Sequence, residues 1–221
     1  MNEFAVIFDL DGTLLDTLDD LVNAVNYMMR KHGFPERERT AIRRFLGNGA
    51  RDLMRRSVPD NIDGEDFEKL LNEYMEYYNA HSQIMTKPYD GVLPLLAELK
   101  ECGIKTAVVS NKPDMTVKGL CKEYFGDSPD FVLGDRPDIK KKPSADPILL
   151  AMKELGCDRA VYVGDSEVDI LAAKNAKLPC ISLTWGFRDR ELLEAQGATC
   201  FAGTAEELKN QIFKLFSENE V

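Results

Sequence analysis

The 221-residue chain has 44% hydrophobic residues and a formal net charge of −10, which fits one domain, or one domain with a small second unit, around a sizeable core. The acidic balance argues against general binding to nucleic acid or anionic membranes, so an anionic substrate must meet local positive groups. Cys102, Cys121, Cys157, Cys180 and Cys200 show no CxxC spacing, and no signal peptide or membrane-length apolar run stands out, so reduced thiols and a cytoplasmic location are expected.

The first apolar run, FAVIF, predicts a buried strand that ends abruptly at the acidic pair Asp9 and Asp11. From Thr17 to Gly33 the apolar positions Leu18, Leu21, Val22, Val25, Met28 and Met29 recur at helical spacing. Asp16 or Thr17 suits the N-cap, and Gly33 suits the stop. Three more helical stretches follow, RTAIRRFLG, GARDLMRRS and DFEKLLNEYMEYYNAH, and nothing between Asp16 and Gln83 reads as a strand. Pro88 and Gly91 then punctuate the chain.

Beyond them strands and helices alternate. Strands are expected at IKTAVVSN, DFVLGD, AVYVGDS, CISLTWG and TCFA. Helices are expected at VLPLLAELKECG, DMTVKGLCKEYFG, DPILLAMKELG, VDILAAKNAK, RDRELLEAQG and AEELKNQIFKLF. The alternation implies an α/β fold, a Rossmann-like parallel sheet with helices on both faces. Residues 1–15 and 86–221 would form this core, and residues 16–85 an all-helical insert after the first strand. Ligands of such sheets bind beyond the C-terminal strand ends, and the insert would hang over that edge.

The polar residues at those ends are of a consistent kind. Asp9 and Asp11 follow the first strand, Ser110, Asn111 and Lys112 follow KTAVV, and Lys142 precedes Pro143 in a loop. Asp165 follows AVYVG, with Asp169 four residues on. Residues two apart on a strand share a face, so Asp9 and Asp11 would repel each other without a cation. Oxygen-only ligands suit Mg²⁺. An ionised carboxylate needs no general base to attack a phosphorus atom whose charge a metal and a lysine mask. The other carboxylate can protonate the leaving oxygen and then take a proton from water.

The constellation resembles the haloacid dehalogenase superfamily of phosphotransferases over essentially the whole chain. The matching motifs are Asp9-Leu10-Asp11-Gly12-Thr13, the strand-end Ser110, Lys142-Pro143, and Gly164-Asp165-Ser166-Glu167-Val168-Asp169. The resemblance implies Asp9 as nucleophile and metal ligand, and Asp11 as acid/base with its carbonyl on the metal. It implies Ser110 and Lys142 as holders of the phosphoryl group, Asp165 as a metal ligand, and Asp169 as organiser of metal-bound water or the lysine. Gly12, Thr13 and Asn111 join the expected substrate contacts, and residues 16–85 look like a small helical cap. FLGNGARDLM and the segment from VGDSEVD to EAQGA look most similar to phosphoglycolate phosphatases.

In the cap, GNGAR is either a glycine-rich helix junction or a substrate loop. In the second case Gly49 and Arg51 would meet a small anion, since an Arg fork matches a carboxylate. His32 and His81 read as helix-end residues, and the tyrosines of EYMEYY as cap packing. A sugar-phosphate mutase would share all four motifs, but Thr13 favours a hydrolase. Asp11 argues against a dehalogenase. A phosphonate hydrolase needs a Schiff-base lysine, for which Lys31 and Lys69 read instead as solvated charge. A pyrophosphatase or a sugar or nucleotide phosphatase stays open, and a non-catalytic binding protein should have lost a motif residue. The expected activity, as the resemblance implies, is Mg²⁺-dependent hydrolysis of a small phosphorylated metabolite, 2-phosphoglycolate first, through an aspartyl-phosphate, by a monomer or homodimer.

Overall fold

The computed structural model describes residues 4–217, so residues 1–3 and 218–221 of the expected core lie outside the described residues. In chain order the elements are β1 (Phe4–Phe8), β2 (Leu15–Asp16), α1 (Leu18–Lys31), α2 (Arg39–Phe45), α3 (Ala50–Ser57), α4 (Gly64–His81), β3 (Lys87–Pro88), α5 (Val92–Glu101) and β4 (Lys105–Pro113). There follow α6 (Asp114–Phe125), β5 (Phe131–Asp135), α7 (Asp146–Leu155), β6 (Arg159–Gly164), α8 (Glu167–Ala176), β7 (Cys180–Leu183), α9 (Arg190–Ala195), β8 (Phe201–Ala202) and α10 (Ala205–Ser217).

Six strands form one parallel sheet in the order β5-β4-β1-β6-β7-β8. Strand alternation builds its two faces. Phe4, Val6 and Phe8 of β1, with Val108, Val161 and Val163, pack against α5, α6 and α10. Ala5 and Ile7, with Ala107, Val109, Ala160 and Tyr162, pack against α7 and α8. Strands buried on both faces explain the unbroken apolar runs in the sequence. The chain runs outward from β1 through β4 to β5, then returns to place β6 on the other side of β1. This reversal opens a crevice at the C-terminal ends of β4, β1 and β6.

Helices α1 to α4 bury their apolar stripes in a separate cluster that includes Leu21, Met28, Ile42, Leu53, Phe67, Tyr74 and Tyr78. Phe187, from the segment after β7, joins the same cluster. A two-stranded antiparallel ladder, Leu15 opposite Pro88 and Asp16 opposite Lys87, ties the departing chain to the returning one. Such short pieces carry no periodicity, and the sequence reading missed both. The Asp20 carboxylate reinforces the junction. Buried in α1, it accepts hydrogen bonds from the Met85 and Thr86 N–H groups at 3.0 and 2.9 Å and from the Thr86 hydroxyl at 2.8 Å.

Losing a charged acceptor of several buried donors costs about 3 kcal/mol, which is roughly 6–12 °C of melting temperature for a chain of this size. Asp20→Ala is therefore expected to lower the midpoint of thermal unfolding by that amount. An unchanged midpoint would mean that the junction does not depend on this clamp.

Candidate active site

At the crevice, carboxylate oxygens of Asp9, Asp165 and Asp169 lie within 4.8 Å of one another, and all three residues are buried. Asp9 follows β1, Asp165 follows β6, and Asp169 sits in the first turn of α8. The Lys142 ammonium, 2% exposed as a residue, lies 2.9 Å from Asp9 Oδ1 and 2.8 Å from Asp169 Oδ1. Its peptide bond to Pro143 is cis. Asp169 is fully engaged. Its Oδ1 also accepts from the Tyr162 hydroxyl, and its Oδ2 accepts from the Ser166 N–H and hydroxyl in a capping box.

One ammonium does not offset three buried carboxylates. Burial, joined by Asp169 and Asp11 and opposed by Lys142, pushes the Asp9 carboxyl up to about 7. Burial and the charges of Asp169 and Asp9 hold Asp165 well above the usual carboxylate range. Lys142 is raised despite its burial, because Asp169 and Asp9 favour its charged form. Oxygen-only donors carrying excess negative charge fit a hard divalent cation.

The surrounding turns hold this geometry at close range. Gly12 has φ +81°, and a Cβ there would stand 2.4 Å from Asp165 Oδ2. Asp165 accepts from the Thr13 hydroxyl at 3.1 Å and from the Phe187 N–H at 2.6 Å. Asp11 turns away from the three carboxylates. Its Oδ1 accepts from the Thr17 hydroxyl at 2.6 Å, and both its oxygens accept from the Lys112 ammonium, at 2.8 and 2.9 Å.

A cavity opens above these groups. Asp9, Asp11, Ser110, Asn111, Lys112 and Asp165 line its floor, and Leu21, Leu46, Ala50, Leu53, Tyr74 and Tyr78 line its helical roof. The amide of Asn111 donates to the Gly47 carbonyl at 3.0 Å and to the Lys142 carbonyl at 2.9 Å, which fixes its orientation. Its Oδ1 is buried without a partner among the described residues. Arg188 sits at the edge, paired with Glu167 and with the Arg43 and Leu46 carbonyls.

Residues 6–183 match the family of haloacid dehalogenase-like hydrolases. The chain belongs to this family. Among curated relatives it is 38% identical to phosphoglycolate phosphatase 1 of Pseudomonas aeruginosa, over 82% of this chain and 70% of the relative. It is 37% identical to the phosphoglycolate phosphatase of Neisseria meningitidis, over 88% and 86% of the two chains. It is 32% identical to the N-acetylmuramic acid 6-phosphate phosphatase of Pseudomonas aeruginosa, over 83% and 82%. A solved structure from Lactobacillus delbrueckii subsp. bulgaricus, described provisionally as a phosphoglycolate phosphatase, superposes with a TM-score of 0.90 at 36% identity, covering 96% of this chain and 99% of that one.

Within this family fold, Asp9, Asp165, Asp169 and Lys142 come together, and Asp11, Ser110 and Asn111 line the same cavity. The side chain of Asp11 stands outside the carboxylate cluster. Other expected substrate contacts are placed differently. The Gly12 N–H is taken by the Leu15 carbonyl, the Thr13 N–H by the Leu10 carbonyl, and the Thr13 hydroxyl by Asp165. These hydrogen bonds shape the turn and seat Asp165. Gly49 lines the cavity, where a Cβ would stand 2.7 Å from the Asn111 carbonyl oxygen, so the loop needs glycine for close docking.

Arg51 lies outside this cavity. Its guanidinium makes a two-pronged pair with Glu68 at 2.6 and 2.7 Å, its side chain is 58% exposed, and it does not line the cavity above Asp9. The reason is helical phase. Ala50 and Leu53 of α3 share the cavity face, and one residue of rotation, 100°, carries Arg51 off it. The sequence gives no role to Lys112, Phe187 or Arg188, and it assigns Tyr78 to cap packing only. Lys112 had a signal, its place directly after Ser110 and Asn111. The Phe187 N–H had none.

Arg51→Ala is expected to change kcat/KM for any phosphate ester by less than about threefold. A selective loss of tenfold or more would return the guanidinium to the site.

Proposed function

We propose that the protein is a Mg²⁺-dependent phosphatase that hydrolyses a small phosphomonoester, 2-phosphoglycolate first, through a phosphoryl group carried transiently on Asp9. The observation that carries this reading is the Lys142 ammonium 2.9 Å from Asp9 within a buried, over-charged carboxylate cluster. Asp9 and Asp165 would hold Mg²⁺, with the Asp11 carbonyl as a further oxygen donor. Bound there, the metal supplies positive charge that screens the phosphoryl oxygens. Asp169, its oxygens already engaged, keeps Lys142 in place.

In the proposed reaction a carboxylate oxygen of Asp9 attacks phosphorus, and Ser110 and Lys142 hold the phosphoryl oxygens. Asp11 gives a proton to the departing ester oxygen. It then takes one from the water that attacks the acyl-phosphate, releasing phosphate and restoring Asp9. Residues 16–85 act as a cap over a core of residues 1–15 and 86–221, and the apolar roof excludes bulk water. The curated relatives named phosphoglycolate phosphatases favour the two-carbon phospho-acid. The substrate is thus a small phosphorylated metabolite, met in the cytoplasm.

A panel of small phosphate esters ranked by kcat/KM should put 2-phosphoglycolate first, with turnover lost in chelator and restored by Mg²⁺. Rapid acid quench should recover phosphate on Asp9 and none on Asp9→Asn, whose turnover should fall by several orders of magnitude. Turnover that persists in chelator, or a phosphoryl group on another residue, would refute the reading.

A further inference from the structure

The proposed reaction uses the floor of the cavity and leaves one polar patch of its wall unassigned. Tyr78 of α4 lines that wall, and its hydroxyl is buried with no hydrogen-bond partner among the described residues. A buried hydroxyl without a partner is costly unless something bound supplies one. Burial, with the charges of Asp11 and Asp20, raises this phenol well above its usual pKa, so it stays a neutral donor.

The Lys112 ammonium lies 4.7 Å from the centre of the same ring. Lys112 is buried, and among the described residues Asp11 is the hydrogen-bond partner of its ammonium. An ammonium has three donors, so one remains beyond the two directed at Asp11. The neighbouring cations are committed elsewhere. Lys142 pairs with Asp9 and Asp169, Arg188 with Glu167 and two carbonyls, Lys141 with the Asn48 carbonyl, and Arg51 with Glu68.

We infer that the Tyr78 hydroxyl and the Lys112 ammonium form the subsite that takes the carboxylate of a phospho-acid substrate. The inference rests on the reading of the protein as a 2-phosphoglycolate phosphatase and replaces Arg51 as the selective cation. Its geometry follows from the substrate's covalent structure. The carboxyl carbon lies one methylene beyond the ester oxygen that Asp11 must protonate, and Lys112 already touches Asp11. Leu21, Leu53 and Tyr74 wall the same cavity, and their apolar surface strengthens a charge-assisted pair by keeping water out. A substrate with an uncharged end would leave both donors unpaired, and such a site discriminates strongly.

The test compares 2-phosphoglycolate with ethyl phosphate, of the same length without the carboxylate, on wild type, Tyr78→Phe and Lys112→Gln. The readout is the ratio of the two kcat/KM values, which cancels any common loss from disturbing Asp11. Each variant should lower that ratio about tenfold or more, chiefly through KM for phosphoglycolate. Tyr78→Phe removes one unpartnered atom, so it keeps the test clear of folding effects, and thermal melting of both variants verifies this. An unchanged ratio in both folded variants overturns the inference and leaves the substrate reading standing. A wild type with no preference for phosphoglycolate overturns the substrate reading itself, and the inference with it.

Discussion

A single ammonium, that of Lys142, bridges Asp9 at 2.9 Å and Asp169 at 2.8 Å inside the protein. Buried ions are costly unless each is paired and its remaining hydrogen-bonding capacity is met. The surroundings answer that demand residue by residue. Tyr162 and Ser166 complete Asp169, Thr13 and the Phe187 N–H complete Asp165, and the Leu10 N–H donates to Asp9. The glycines follow from the same crowding. At Gly12, Gly164 and Gly186 a Cβ would stand 2.4 Å from atoms of Asp165 or Asp169. The parallel sheet contributes what no local sequence can, by bringing the ends of β4, β1 and β6 side by side.

The charge balance at this edge links fold to chemistry. Carboxyls raised by burial and mutual repulsion lower the stability of the metal-free fold, so the site is poised to accept positive charge. The helical roof contributes differently. It is mostly apolar, and it meets the core through Asn111 on the Gly47 carbonyl and Lys141 on the Asn48 carbonyl. Phosphoryl transfer therefore belongs to the core under the proposed mechanism, and choice of the departing group belongs to the space beneath the roof.

Much of this was legible in the sequence because it is carried by local patterns. Buried strands announced themselves as apolar runs, amphipathic helices by their spacing, and the carboxylates by standing at strand ends. Partnership was not legible. Lys142 stands in a run with Lys140 and Lys141, and its place before Pro143 singles it out without saying which carboxylates it bridges. Arg51 drew attention by its charge, yet helical phase against Ala50 and Leu53 already directed it outward. The two-residue β2 and β3 are too short for any pattern. The part played by Phe187 is a backbone N–H delivered across 22 residues to Asp165, which the side-chain identity does not encode.

The central claim is that the carboxylates at this edge carry more charge than the one ammonium facing them offsets, an excess that a divalent cation would neutralise. Asp9 titrates near 7 in the folded protein against 3.8 ordinarily, so the metal-free fold loses stability as pH rises across that interval. The direct test is thermal unfolding of metal-free wild type and Asp9→Asn at pH 7.5, each repeated with Mg²⁺. The substitution keeps the oxygen that meets Lys142 and the Leu10 N–H while removing one charge. The account predicts a higher midpoint for the metal-free variant than for metal-free wild type, and a Mg²⁺-induced rise in wild type that the variant largely loses. A less stable metal-free variant that still responds fully to Mg²⁺ would contradict it.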